Sequence, residues 1–305
     1  LNDQAAPSFA TDYPATANVA GTSFDLKLKI NEGGKGYYVV LANDDTAPTA
    51  TEVKAGTGSS AATAVKSGNS NLTADTEASI SITDLSSETS YDIYVVAEDD
   101  ESTPNVQSSV SKLEITTTDI TAPTVSSVAS TAKDGYYKIG DVIAIVITFS
   151  ESVTVTGTPQ LTLETGDDDA VVDYSSGSGS VTLTFNYTIA AGHTNSDLDY
   201  TSTTALALNS GSIKDAAGND ATLTLSEPGG GTSLGSNKDI VVDGVVPTLS
   251  SLSPADDATA ASPNSNLTIT FSEDVATGSG DLILKKSADD SEYESIGASS
   301  DKITI

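Results

Sequence analysis

From Phe24 to Ile30 apolar and polar residues alternate without a break, the period of a half-buried strand. Phe24, Leu26, Leu28 and Ile30 share one face, and Lys27 and Lys29 the other. Tyr37–Leu41 follows the Gly33-Gly34 turn signal, and Ser79–Thr83 alternates again. A further strand opens at Tyr91 and runs to Ala97, with Leu85 six residues ahead of the tyrosine. Beyond Thr121 the same grammar predicts strands over Thr124–Ala129, Asp141–Phe149, Gln160–Thr165, Ala170–Tyr174, Val181–Ile189, Tyr200–Leu208 and Asp239–Val242, set apart by Gly, Ser and Asp clusters. Leu249–Asp256, Asn266–Glu273 and Asp281–Lys285 start the series a third time. No segment shows helical periodicity with caps. The expected class is therefore all-β, in tandem sandwiches.

Three joints punctuate the strands. Asp3, Asp119 and Asp243 each stand four residues before a proline, at Pro7, Pro123 and Pro247. They divide the chain into modules at 1–118, 119–243 and 244–305. The third holds only about half the strands of a sandwich, and half a sandwich exposes an apolar face and unpaired edges. Its expected completion comes either from chain beyond Ile305 or from another copy. With no Met and no visible signal segment, the chain reads as a processed or excised piece.

Composition narrows the partners. A formal charge of −30, with 43 acidic residues against 13 lysines and no arginine, repels a phosphate backbone and an anionic membrane surface. Nucleic acid is thereby excluded as a partner. The longest apolar run, Val142–Ile147, is far short of the roughly 20 residues of a spanning helix, so membrane insertion is excluded too. The absence of cysteine removes disulfides, thiolate metal sites and cysteine nucleophiles, while modules of this size bury a core without staples.

Two resemblances follow from these motifs. Leu85 ahead of Tyr91 resembles the tyrosine corner of sandwich domains, in which the phenol reaches back to upstream backbone, and the module to Thr118 resembles a fibronectin type III domain of bacterial surface proteins. It departs from that family in lacking a tryptophan on its second strand and in carrying a long Ala/Thr/Gly/Ser stretch, 42–74. Thr148-Phe-Ser-Glu-Ser-Val153, Gly157–Leu163 and Ile213–Asn219 closely resemble the bacterial immunoglobulin-like repeats of very large secreted adhesins. Leu249–Asp256, Asn266–Glu273 and Asp281–Lys285 resemble the opening strands of another such repeat.

In an Ig-like sandwich the entering linker, the end of the second strand and the loop before the last strand gather at one end, and the acidic residues follow that geometry. Glu32, Glu151 and Glu273 lie 29, 32 and 30 residues downstream of Asp3, Asp119 and Asp243, two of them within a repeated Phe-Ser-Glu. The later loop adds Glu98, Asp99 and Asp100 in the first module and Asp215, Asn219 and Asp220 in the second. Hard oxygens converging beside a turn-forming glycine suit Ca²⁺, which takes six to eight oxygen ligands. Without a cation the carboxylates repel one another; with one, the sign reverses.

Catalytic chemistry finds little support. His193, the sole histidine, sits in the polar stretch 191–197 with no Ser-x-Gly elbow or metal-spaced partner, and reads as an exposed loop residue. Carboxylates are so abundant that no pair stands out as acid and base. Asn71, Asn186 and Asn266 lie in Asn-x-Thr triplets, which chance supplies in a Thr-rich chain. Tyr37-Tyr38 and Tyr136-Tyr137 are expected to pack at strand edges, and Lys285-Lys286 to protect one.

The resemblance therefore implies a non-enzymatic, calcium-stiffened spacer of an extracellular bacterial surface adhesin, whose partners are its neighbouring modules or further copies of itself. The alternative is a subunit of a filament or surface layer assembled by strand exchange. A carbohydrate-binding face is a third reading, opposed by the absence of tryptophan.

Overall fold

The computed structural model describes residues 5–256, 258, 259, 262, 264–276, 278–285, 289–300, 303 and 304. Its first sandwich comprises β1 (Ala15–Ala17), β2 (Phe24–Leu28), β3 (Gly34–Ala42), helix α1 (Ala50–Ala55), β4 (Lys66–Leu72), β5 (Ala78–Ile82), β6 (Ser90–Asp99) and β7 (Ser111–Thr116). Strands β1-β2-β5 form one antiparallel sheet and β4-β3-β6-β7 the other. The alternation on β2 does what its period requires. Phe24, Leu26, Leu28 and Ile30 are sealed against Tyr38, Val40, Tyr91, Ile93 and Val95 of the facing sheet.

That facing sheet is apolar on both sides. Val39, Leu41, Tyr94 and Val96 form a second cluster, which Val53 of α1 covers. The helix corrects the expectation of none. Thr49 accepts from the Glu52 N–H, and the Glu52 carboxylate accepts from the Thr49 N–H at 2.8 Å, a capping box, while Gly56 closes the other end at φ +76°. Six residues are too few to be helical alone, so the buried Val53 contact stabilises them.

The Tyr91 phenol meets the backbone N–H of Ser86 at 3.0 Å, while Leu85 packs in the core beside it. Tyr91→Phe keeps the ring but strands that amide beside a buried position. The expected loss is about 1–2 kcal/mol, read as a lower urea midpoint at unchanged slope.

The second sandwich comprises β8 (Val125–Ser130), β9 (Gly135–Lys138), β10 (Val142–Thr156), β11 (Gln160–Leu163), β12 (Ala170–Ser176), β13 (Ser180–Thr188), β14 (Thr194–Asn195), β15 (Leu206–Ala207), β16 (Ser212–Lys214), helix α2 (Leu234–Asn237) and β17 (Ile240–Asp243). A seven-stranded sheet runs β15-β11-β12-β13-β10-β16, with β8 also pairing β10, and a smaller sheet runs β14-β17-β9. Two expectations change. β10 continues through Glu151 to Thr156 rather than ending at Phe149. The strand expected over Tyr200–Leu208 shrinks to β15, because Ala205 N–H closes a turn onto the Ser202 carbonyl.

Beyond it lie two hairpins, β18 (Leu249–Ser253) with β19 (Thr268–Phe271) and β20 (Asp281–Lys285) with β21 (Glu292–Gly297). β18 and β19 repeat the register of β8 and β10. Val125 faces Phe149 and Val128 faces Ile147 in the second sandwich; Leu249 faces Phe271 and Leu252 faces Ile269 in the third repeat. Both ladders carry an irregularity beside the phenylalanine pair.

Contacts divide the chain into two compact units. One holds the chain up to Thr124 together with Ser150–Val155 and Ser212–Thr222; the other holds Val125–Phe149, Thr156–Gly211 and the chain from Leu223 on.

Candidate metal centre

The linker into each repeat is fixed by the same clasp. Ser8 N–H donates to the Asn31 side-chain oxygen at 2.6 Å, Thr124 N–H to Ser150 Oγ at 3.0 Å and Thr248 N–H to Ser272 Oγ at 2.9 Å. Each is answered by a backbone bond in the opposite direction, to the carbonyls of Ser8, Thr124 and Thr248. The next residue is in every case a glutamate: Glu32, Glu151 and Glu273. The clasp therefore fixes where that carboxylate begins relative to the linker.

A second motif recurs in the later loops. Asp215 accepts from the Asn219 N–H at 2.8 Å and from its side-chain amide at 2.7 Å, and Asp99 accepts from the Asn105 N–H at 2.8 Å and from its side-chain amide at 2.7 Å. Asn219 also donates to the carbonyls of Asp119, at 3.4 Å, and Thr121, at 3.5 Å. It thus ties the loop to the linker. Asp119 Oδ1 accepts from the Thr121 N–H at 2.7 Å, as Asp243 Oδ1 does from Val245 at 3.2 Å.

At the second repeat these devices converge. One carboxylate oxygen from each of Asp119, Glu151 and Asp215 lies within 4.8 Å of the others. Two oxygens that both touch an ion at about 2.4 Å are at most about 4.8 Å apart, so the three fit around one Ca²⁺. The donor set is all hard oxygen, and no thiol or imidazole competes for it.

Electrostatics agree with the spacing. Burial raises the pKa of Glu151, and the charges of Asp119, Asp215 and Glu88 raise it further. Asp215, only 6% exposed, is also pushed up by burial, but the Asn219 amide and the N–H groups of Asn219, Gly218 and Ala217 outweigh that and hold its carboxyl below the usual range. One carboxylate is pinned in its ionised form beside another that resists ionisation.

The remaining expected ligands are placed as follows. Asp220 turns to Lys214, 2.7 Å away, and Asn219 acts through its amide as a clamp. In the first repeat Asp99 is held below the usual carboxylate range: burial raises it, and the bonds from Asn105 and the Glu101 N–H overcome that. Asp100 is exposed, 2.9 Å from where a Cβ on Gly33, the residue after Glu32, would stand. Glu98 is drawn away to Lys54 and the Tyr37 hydroxyl. Asp3 lies outside the described residues, as does Lys286. At the third repeat Glu273 Oε1 is buried without a hydrogen-bond partner, at the position Glu151 holds in the second. Among the described residues only Asp119, Glu151 and Asp215 gather as a threesome. Asn105 was missed, although an asparagine a few residues after the loop aspartate recurs in both modules. Glu88 was also missed, and it has no linear signal.

Two other expectations are corrected. His193 is half-buried, its ring stacked on Tyr187 at 5.7 Å and its Nδ1 2.8 Å from the Tyr187 hydroxyl, while its carbonyl accepts from Gly244 at 2.7 Å. It is a packing residue. Tyr136, expected to pack, is 84% exposed.

The fold defines a chain of tandem β-sandwiches. Residues 243–305 match the bacterial Ig-like domain family, and the second sandwich shares the strand register of that segment. No curated protein matches the chain. Among solved structures, a two fibronectin type-III domain segment from chicken tenascin aligns at 11% identity and a TM-score of 0.26, covering 64% of this chain and 87% of that one. Domains of the matched family occur in bacterial surface proteins, and modules of these two kinds are typically structural and non-catalytic. No helix among the described residues is long and apolar enough to cross a membrane.

Proposed function

We propose that this chain is a spacer segment of an extracellular bacterial surface adhesin, stiffened by Ca²⁺ at its linkers and carrying no active site of its own. The observation that carries the reading is the approach of three carboxylate oxygens, from the linker, from β10 and from the loop after β16, to within 4.8 Å of one another. Asp119, Glu151 and Asp215 would hold the ion, which would supply the positive charge that lets them stay together ionised. Asn219 orients Asp215 and grips the linker carbonyls, so the linker is held at two points rather than one. A linker fixed in this way loses hinge freedom. The function is mechanical: the adhesive part of the parent protein is kept at a distance from the cell.

Affinity typical of extracellular modules, about 10⁻⁴–10⁻³ M, suits such a setting. Isothermal titration should show calcium binding in that range, and melting should occur at higher temperature in millimolar calcium than in chelator. Superimposed melting curves would end the calcium reading.

A further inference from the structure

A linker between sandwiches is mobile by default, and a stiff one needs bonds to both of its neighbours. Residues 117–124 have such bonds without a cation. Thr117, 2% exposed, accepts from the Thr89 N–H at 3.0 Å, and its hydroxyl donates to the Ser86 carbonyl at 2.7 Å. Its own N–H meets the Thr89 carbonyl at 3.1 Å, and the Thr118 N–H meets that of Ala20 at 3.2 Å. The first bond to the other side comes at the very next residue, where the Asp119 carbonyl accepts from the Asn219 amide at 3.4 Å. Thr121, Pro123 and Thr124 follow, bonded to Asn219, Thr222 and Ser150. Anchors on consecutive residues leave no free residue to serve as a hinge.

Ile120 closes the gap that remains. Gly21 is buried beneath it: a Cβ there would overlap Cγ2 of Ile120 and stand 3.1 Å from its Cγ1 and Cδ1. Glycine is what lets the backbone of the first sandwich come so close to that side chain. The isoleucine is nevertheless 56% exposed and lies outside both core clusters of the first sandwich, so its contact joins linker to sandwich rather than filling a core. Ser150–Val155 and Ser212–Thr222, the segments that grip the far half of the linker, fall in one compact unit with the whole of the first sandwich. The next joint begins the same way. Asp243 still pairs with Thr194, and Gly244 exchanges backbone bonds with Gly192 and His193, at 2.9 and 2.7 Å.

We propose that residues 117–124 are a preset strap, with Ile120 seated on Gly21 as its latch, and that the strap makes the first compact unit rigid through the joint before any ion binds. Ile120 and Gly21 are thereby positioning residues for Asp119, which stands between the last bond to the first sandwich and the latch. Calcium at Asp119 would stabilise a joint whose geometry already exists.

The chain has no cysteine, so spin labels go only where cysteines are introduced. Asn69 on β4 and Thr154 on β10 are both exposed and belong to the same compact unit. Pulsed dipolar spectroscopy on the full chain carrying Asn69→Cys and Thr154→Cys, in chelator, should give one narrow distance peak. Ile120→Ser should broaden it, and Gly21→Ala, which pushes the isoleucine off its seat from the other side, should do the same. Ile120→Val keeps the Cγ2 methyl and should keep the peak. Because Ile120 lies outside the core, the melting temperature of the Ser variant should hardly move, which separates a lost latch from a lost fold. A distribution already broad in chelator with Ile120 and Gly21 in place overturns the proposal, as does a peak that stays narrow in both Ile120→Ser and Gly21→Ala. No ion takes part in these measurements, so their failure leaves the calcium reading to its own melting test, and failure of that test leaves the strap in place.

Discussion

Glu151→Gln should stabilise the protein in chelator and, in the same variant, remove most of the stabilisation that calcium confers. The two effects have one source. Burial and the charges of Asp119, Asp215 and Glu88 raise the pKa of Glu151, so in the ion-free protein its ionised form is a liability. A neutral amide of the same shape relieves that repulsion but offers a weaker ligand than a carboxylate. In the native protein, calcium at a hundredfold excess over its dissociation constant would add about 2.7 kcal/mol, on the order of 5–10 °C in melting temperature. The sign with pH follows. An acid whose folded pKa is raised binds more protons folded than unfolded, so its contribution is fully present below the unfolded value and lost as pH rises through the folded one. Chelated protein should therefore lose stability over that rise, and the Gln variant should lose less. Melting in chelator and in calcium, for both proteins across this range, checks all of it. A Gln variant that is less stable in chelator, or that keeps the full calcium response, would show that the triad is a solvated cluster.

Strands were legible in this sequence because their signal is local. Alternation on Phe24–Ile30 names the buried face directly, and Leu85 with Tyr91 marks a corner that the Ser86 amide completes. Helix α1 did not stand out in the same way. Its capping box, Thr49 with Glu52, lies in plain sequence, yet six residues give too little periodicity to stand out in a stretch of Ala, Thr and Gly. Loop contacts were harder. The nearness of Glu151 to Asp119 follows from their spacing, since the Thr124–Ser150 clasp makes that spacing structural. Glu98 has the same chemistry and a neighbouring position, but it sits in β6 with its carboxylate turned to Lys54, and no linear rule says which way it faces. Glu88 is further still from any such rule. It belongs to the loop that Thr117 pins through bonds to Ser86 and Thr89, and it comes near Glu151 only once the chain has folded.

Phe149 and Phe271 make that limit measurable, because the sequence treats them alike and the fold does not. Both sit in Thr-Phe-Ser-Glu, both follow an alternating strand, and both face the first strand of their own repeat, Phe149 opposite Val125 and Phe271 opposite Leu249. Phe149→Ala should cost about 3–5 kcal/mol, since a ring 2% exposed leaves a cavity that the packed neighbours fill only in part. Phe271→Ala should cost about 1 kcal/mol or less, because at 39% exposure much of the ring already meets water and little cavity is created. Scanning calorimetry would show the first change as a drop of more than about 10 °C in the transition of the second sandwich, with the second change leaving that transition in place. Equal costs at the two positions would mean that the third repeat seals its phenylalanine as the second does. Unequal costs would show that one motif specifies the strand in both repeats, while the energy it contributes is set by the strands laid over it.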